Sequence, residues 1–105
     1  MDRRDKKIAI ASAILLIFSL LAVVFASIPS GEAVFREQRC NTCHRFKGEG
    51  GLTGPDLTEV SRRRGTVWIM GQIRNPKSHN PDSRMPSYDN LGYIEILAII
   101  SYLKS

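Results

Sequence analysis

From Ile8 to Ile28 the chain carries no charged residue and no proline, and only Ser12, Ser19 and Ser27 interrupt the apolar run. At about 1.5 Å of rise per residue, a helix of this length reaches roughly 30 Å, the hydrocarbon thickness of a bilayer. The remainder of the chain, Pro29 to Ser105, is 77 residues. A core that small rarely holds together without a staple such as a metal or a covalent cofactor.

Two readings fit the N-terminal third. In the first, residues 8–28 are a permanent transmembrane anchor and residues 1–7 a basic tail on the cytoplasmic side, as the positive-inside rule implies for Arg3, Arg4, Lys6 and Lys7. In the second, the segment is a signal peptide cut after Val24-Phe25-Ala26. The apolar stretch exceeds the usual signal core of about 7–15 residues, which favours the anchor. Both readings put residues 29–105 outside the cytoplasm, as one extracytoplasmic domain.

The formal charge of +5 is unevenly spread. Four of the 15 basic and two of the 10 acidic residues lie in the first seven positions, leaving 11 and 8 for the rest. An excess of three is too mild for nucleic-acid binding, despite a sequence pI near 9.6. The two cysteines both sit in one pentapeptide, so a structural disulfide framework is excluded.

The extracytoplasmic segment reads as all-α with long loops; no stretch alternates with the period of a strand. Ser30 caps a first helix that runs through Val34 and Phe35 toward Cys40. Lys47 to Pro55 holds four glycines and a proline, which excludes regular structure there. A short helix is predicted from Leu57 or Thr58 to Arg64, with Gly65 as its left-handed stop. Another runs from Val67 to Arg74 with Thr66 as cap, ended by Asn75-Pro76. Lys77 to Ser87 is proline-rich and extended. The final helix is capped by Asp89 or Asn90 and carries Leu91, Ile94, Leu97, Ala98 and Tyr102 at helical spacing. Ile96, Ile99, Ile100 and Leu103 widen that face, so the helix must be buried.

Cys40-Asn41-Thr42-Cys43-His44 is the chemically decisive motif. Two thiols at this spacing can form thioether links to the two vinyl groups of one haem, and the adjoining histidine then lies beneath the ring with a nitrogen aimed at iron. Other uses of the motif fit less well. A zinc site wants four ligands, and outside the motif only His79 is a good candidate. A redox-active dithiol wants a βαβ surround that the pattern lacks.

With that motif followed by Gly54-Pro55-Asp56-Leu57, a middle helical region, Met85-Pro86 and an apolar C-terminal helix, residues 30–105 resemble the class I cytochrome c family. The resemblance implies one covalent haem c wrapped by helices, the first and last of which cross, with Gly31, Phe35 and Tyr102 at the crossing. It implies His44 as proximal iron ligand, Pro55 as the carbonyl acceptor that orients His44, Leu57 as packing on the haem face and Met85 as distal ligand. Met85 stands in a proline-rich loop with little apolar company, whereas the competing Met70 lies among Val67, Trp68, Ile69 and Ile73, where packing explains it. His79 is the alternative sixth ligand. Trp68 would donate its indole N–H to a haem propionate, or be a buried aromatic whose polar tip finds any acceptor. Arg62-Arg63-Arg64 reads as a solvated helix end, or as a counter-charge for propionates or an acidic partner.

The stretch Glu49 to Gly65 further resembles the haem subunit of bacterial nitric oxide reductase and the cytochrome domain fused to some haem–copper oxidases. Asn75-Pro76-Lys77 and Pro81 to Tyr88 resemble anchored single-haem subunits of other such oxidases. The implied function is single-electron transfer in a bacterial respiratory chain, as a tethered shuttle or a non-catalytic subunit. The partners implied are the membrane and other redox proteins, including integral oxidase, reductase or cytochrome b subunits. The alternative is a gas-binding or peroxidase-like haem protein, should Met85 not bind iron.

Overall fold

The computed structural model describes residues 2–105. A first helix, α1 (Arg3–Ser27), stands apart from the rest, and none of its residues is buried by protein. By length and composition it can cross a membrane. The chain turns at Ile28, which is extended, and reaches the second helix within three residues.

Ser30 caps α2 (Gly31–Glu37) as expected: its hydroxyl accepts from Ala33 N–H at 3.3 Å. The helix does not continue into the cysteines. Arg39 takes a left-handed φ of 61°, which closes α2 and restarts the chain as a single turn, α3 (Cys40–Cys43). The glycine-rich stretch, expected to be irregular, contains a two-residue antiparallel ladder, β1 (Arg45–Phe46) with β2 (Glu49–Gly50). Lys47 and Gly48 at its tip both have positive φ, the requirement of a two-residue hairpin whose twist matches its strands. The ladder folds Phe46 into the core.

The Asp56 carboxylate accepts from the Thr58 backbone and hydroxyl, forming the turn ahead of α4 (Val60–Arg63). Gly65, expected to stop this helix in a left-handed conformation, is extended and caps α5 (Thr66–Arg74) instead. A 3₁₀ turn over Pro76–Ser78 comes next, then loop, then α6 (Tyr93–Leu103) with Gly92 as N-cap.

The core gathers Val34 and Phe35 from α2, Phe46 from β1, Val60 from α4, and Ile69 and Ile73 from α5 around α6. The crossing of α2 over α6 is close because Gly31 rests on the carbonyl of Ala98; a Cβ at position 31 would collide with it. One turn on, Phe35 and Tyr102 meet with ring centroids 5.5 Å apart, and Phe46 lies 4.9 Å from Tyr102. The face of α6 differs from the expected stripe. Ile96, Ile99, Ile100 and Leu103 enter the core, whereas Ile94 and Leu97 are exposed. Leu91 is buried but precedes the helix. With apolar residues at nearly every position, the periodicity of this segment carries no phase information.

Candidate haem-binding site

The motif turn is held from outside. Gly51 N–H donates to Asn41 carbonyl at 2.9 Å, Gly54 N–H to Cys43 carbonyl at 2.7 Å, and Leu57 N–H to Arg45 carbonyl at 2.8 Å. The glycine loop thus straps the single turn of α3 along its length, satisfying carbonyls that a four-residue helix leaves free. Within that strap His44 Nδ1 lies 2.7 Å from the Pro55 carbonyl oxygen. An N–H at Nδ1 donates there, which fixes the tautomer and leaves Nε2 with its lone pair free. Gly54 lies flat against the same ring, where a Cβ would come within 2.6 Å of Cε1. The imidazole is therefore oriented by a hydrogen bond on one edge and by backbone contact across Gly54.

Cys40 and Cys43 stand three residues apart on α3, hence on one face. Burial pushes the Cys40 thiol up to about 11, so it stays protonated at neutral pH. Arg45 Nε is buried without a hydrogen-bond partner, an unmatched donor that an acidic group such as a haem propionate would satisfy. Cysteines on one face, an oriented imidazole with a free nitrogen, and a buried guanidinium N–H without an acceptor all fit covalent haem.

The second half of the candidate site is built on α5 and the loop after it. Met85 is half-buried against the core, with its sulfur 3.7 Å from the Gln72 side-chain amide nitrogen. The loop is fastened on both sides of Met85. Ser83 Oγ accepts from Met85 N–H at 3.3 Å, Ser87 hydroxyl donates to the Arg74 carbonyl, and Tyr88 N–H donates to the Ile73 carbonyl at 3.0 Å. Tyr88 also ties this loop to the cysteine side of the molecule, since its hydroxyl donates to the Gln38 carbonyl at 3.1 Å. Burial raises the Tyr88 phenol above its ordinary range, with the nearby Cys40 and Cys43 adding to the effect.

The other expected residues are spread around these two halves. Leu57 is half-buried against the core beside the strap. Trp68 belongs to the Met85 side: its ring stacks on His79 at 4.4 Å and 3°, and the Arg64 guanidinium lies 4.3 Å from its centroid. His79 Nδ1 pairs with Gln72 Oε1 at 2.8 Å, so that nitrogen is engaged away from the motif. Met70 is half-buried against the core. The three arginines separate: Arg62 pairs with Glu59 at 3.1 Å, Arg63 donates to the Asp56 carbonyl at 3.3 Å, and Arg64 covers Trp68. Gln72, Tyr88 and Arg45 carry no signal in the sequence that marks them for this site. Gln72 is an ordinary mid-helix glutamine by type, and only the fold puts Met85 and His79 on its two amide atoms.

A family model for cytochrome c matches residues 28–105. The chain is also similar to cytochrome c oxidase subunit 2 of Alkalihalophilus pseudofirmus, with 30% identity over 83 aligned residues, covering 71% of this chain and 24% of that protein. The chain thus spans about a quarter of the length of that relative. The strapped motif turn, the carbonyl that orients His44 and the matched span agree: this chain belongs to the class I cytochrome c family, whose members carry electrons on haem.

Proposed function

We propose that this chain is a membrane-anchored mono-haem cytochrome c that passes single electrons outside the cytoplasm to or from a respiratory oxidase or reductase. The observation that carries the reading is the 2.7 Å contact from His44 Nδ1 to the Pro55 carbonyl, on the turn that bears both cysteines. When bound, haem c supplies an iron that changes oxidation state by one electron.

The protein's part is to attach, orient and shield. Cys40 and Cys43 would hold the ring by thioethers, and His44 Nε2 would ligate iron with its ring fixed by Pro55 and Gly54. Met85 would offer its sulfur from the opposite loop, where Ser83, Ser87 and Tyr88 restrict its movement. Ligands fastened on both sides change position little between oxidation states, which favours rapid electron transfer over substrate chemistry. Residues 8–28 would be the anchor and residues 29–105 the haem domain. The similarity to an oxidase subunit supports a place beside haem–copper oxidases, with the catalysis in another chain.

The test is the mass and spectrum of the chain purified from membranes. The expected mass is that of the whole polypeptide with one haem added. Wild type should show the weak red absorption of ferric iron bound to thioether sulfur, and Met85→Ala should lose it. The variant's potential should fall by more than about 59 mV, the one-electron equivalent of a tenfold change. A high-spin wild-type spectrum with ready carbon monoxide binding would instead indicate gas binding.

A further inference from the structure

We propose that the groove between the linker Ile28–Ser30 and the outer face of α6 rests in the lipid headgroup layer, so that Ile94 and Leu97 touch the membrane. The proposal depends on α1 being a retained membrane anchor, and it adds which face of the haem domain lies against the bilayer.

The short linker is the first reason. The apolar run ends at Ile28, and α2 begins at Gly31. Even fully extended, three residues span only about 10 Å. A linker of that reach keeps whatever lines it inside or just above the interfacial layer, which adds some 5–8 Å to each side of the hydrocarbon core. The lining consists of Ile28, Pro29, Gly31, Ile94, Leu97 and Ser101, together with their neighbours on α2 and α6.

Composition and direction agree with that placement. Ile28, Ile94 and Leu97 are 49%, 61% and 42% exposed, an apolar strip continuous with α1. At 100° per residue, Ile94 and Ser101 project opposite to Ile96, Ile99, Ile100 and Leu103, which fill the core. The strip is thus unused by the fold. Tyr93 stands beside it, 60% exposed, with the Arg74 guanidinium 4.9 Å from its ring centroid. An exposed tyrosine with a cation over it is the side-chain chemistry of the membrane–water interface. Glu32, the acidic residue on the groove, is paired with Arg36 at 3.2 Å and so does not present a bare charge.

Spin labels on the full-length, haem-loaded chain in phosphatidylcholine vesicles test this. Single cysteines would replace Ile94, Leu97, Val67 and Leu16 in turn, each labelled protein being checked for an unchanged haem spectrum. Val67 is an 84% exposed position on α5, and Leu16 lies mid-anchor. The quantity read is collision with oxygen, which concentrates in lipid, relative to collision with a water-soluble nickel chelate. The expected result is a ratio at Ile94 and Leu97 severalfold above that at Val67 and below that at Leu16. Ratios equal to that at Val67, with Leu16 lipid-buried, would overturn the docking face and leave the anchor standing. Protection of Ile94 and Leu97 from both reagents would assign the face to contact with a second copy of the chain and overturn the proposal. A water-exposed Leu16 label would overturn the anchor and the docking face together.

Discussion

At the scale of single residues, the candidate iron ligands are set by their neighbours rather than by their own rotamer preferences. His44 is oriented by a carbonyl and by a residue with no side chain; Met85 is met by an amide. With Met85 as the proposed iron ligand, the Gln72 N–H directed at its sulfur would draw electron density from it and so disfavour the more positive, oxidised iron. Gln72→Leu should therefore lower the reduction potential. A net hydrogen bond is worth about 1 kcal/mol, which corresponds to roughly 40 mV for one electron. Voltammetry of the two proteins side by side reads this directly, and an unchanged potential would remove Gln72 from the ligand's surroundings. The same glutamine holds His79 through its other amide atom, so the variant should also loosen the His79–Trp68 stack. Sequence alone exposed the ligand types and, through Gly54-Pro55, the support behind His44; it hid Gln72, because a glutamine has no chemical signature until the chain folds it against a ligand.

At the scale of elements, two junctions decide the geometry. The first is the crossing of α2 on α6, where Gly31 lies on the Ala98 carbonyl. Gly31→Ala puts a methyl group into backbone that has no room to yield, so the helices must separate. Overpacking of this kind costs about 1–3 kcal/mol, and for a domain this small each kcal/mol lowers the melting temperature by roughly 4–8 °C. Calorimetry should show that drop with the haem spectrum retained; an unchanged melting temperature would mean that the crossing is looser than the structure has it. The second junction is the Asp56 turn that leads from the histidine strap to α4. Its carboxyl is held below the usual range, first by the Thr58 hydroxyl and backbone N–H, with Arg45 and Arg63 adding to this. A depressed folded-state value means the contribution is full above the unfolded-state pKa near 3.9 and is lost as pH falls through the folded-state value. Asp56→Asn keeps the turn's acceptor and drops its charge. Wild type should thus be the more stable protein at neutral pH, with the difference closing below about pH 4; a difference that persists in acid would assign the effect to shape rather than charge.

At the scale of the whole molecule, a 25-residue exposed helix, apolar from Ile8 onward, is joined by a short linker to a small helical domain. A helix apolar all round with no protein against it is stable in lipid and not in water. The full chain should accordingly stay with membranes through alkaline carbonate washing and leave them only in detergent. Release by carbonate, or an intact mass lacking the first 26 residues, would show that the segment is removed as a signal peptide. A retained anchor would also restrict which partners the C-terminal domain could reach, since the linker would allow it little height above the bilayer. Such a domain suits a partner embedded in the same membrane better than one diffusing freely.

Local patterns were legible without coordinates because they depend only on near neighbours in the chain. The Cys40-x-x-Cys43-His44 spacing, the Ser30 cap, the uncharged run of α1 and the proline-rich loop around Met85 all depend on residues a few positions apart. Arg39 breaking α2, the hairpin at Lys47-Gly48 and Gly65 serving the following helix depart from the sequence expectation because each is settled by which strand or helix packs next to it. The clearest division is in α6. Its sequence determined that the helix is apolar enough to be buried, but with apolar residues on every side it could not say which face goes inward. The tertiary structure decided that through the Gly31–Ala98 approach, which turned Ile96, Ile99, Ile100 and Leu103 inward and left Ile94 and Leu97 facing out.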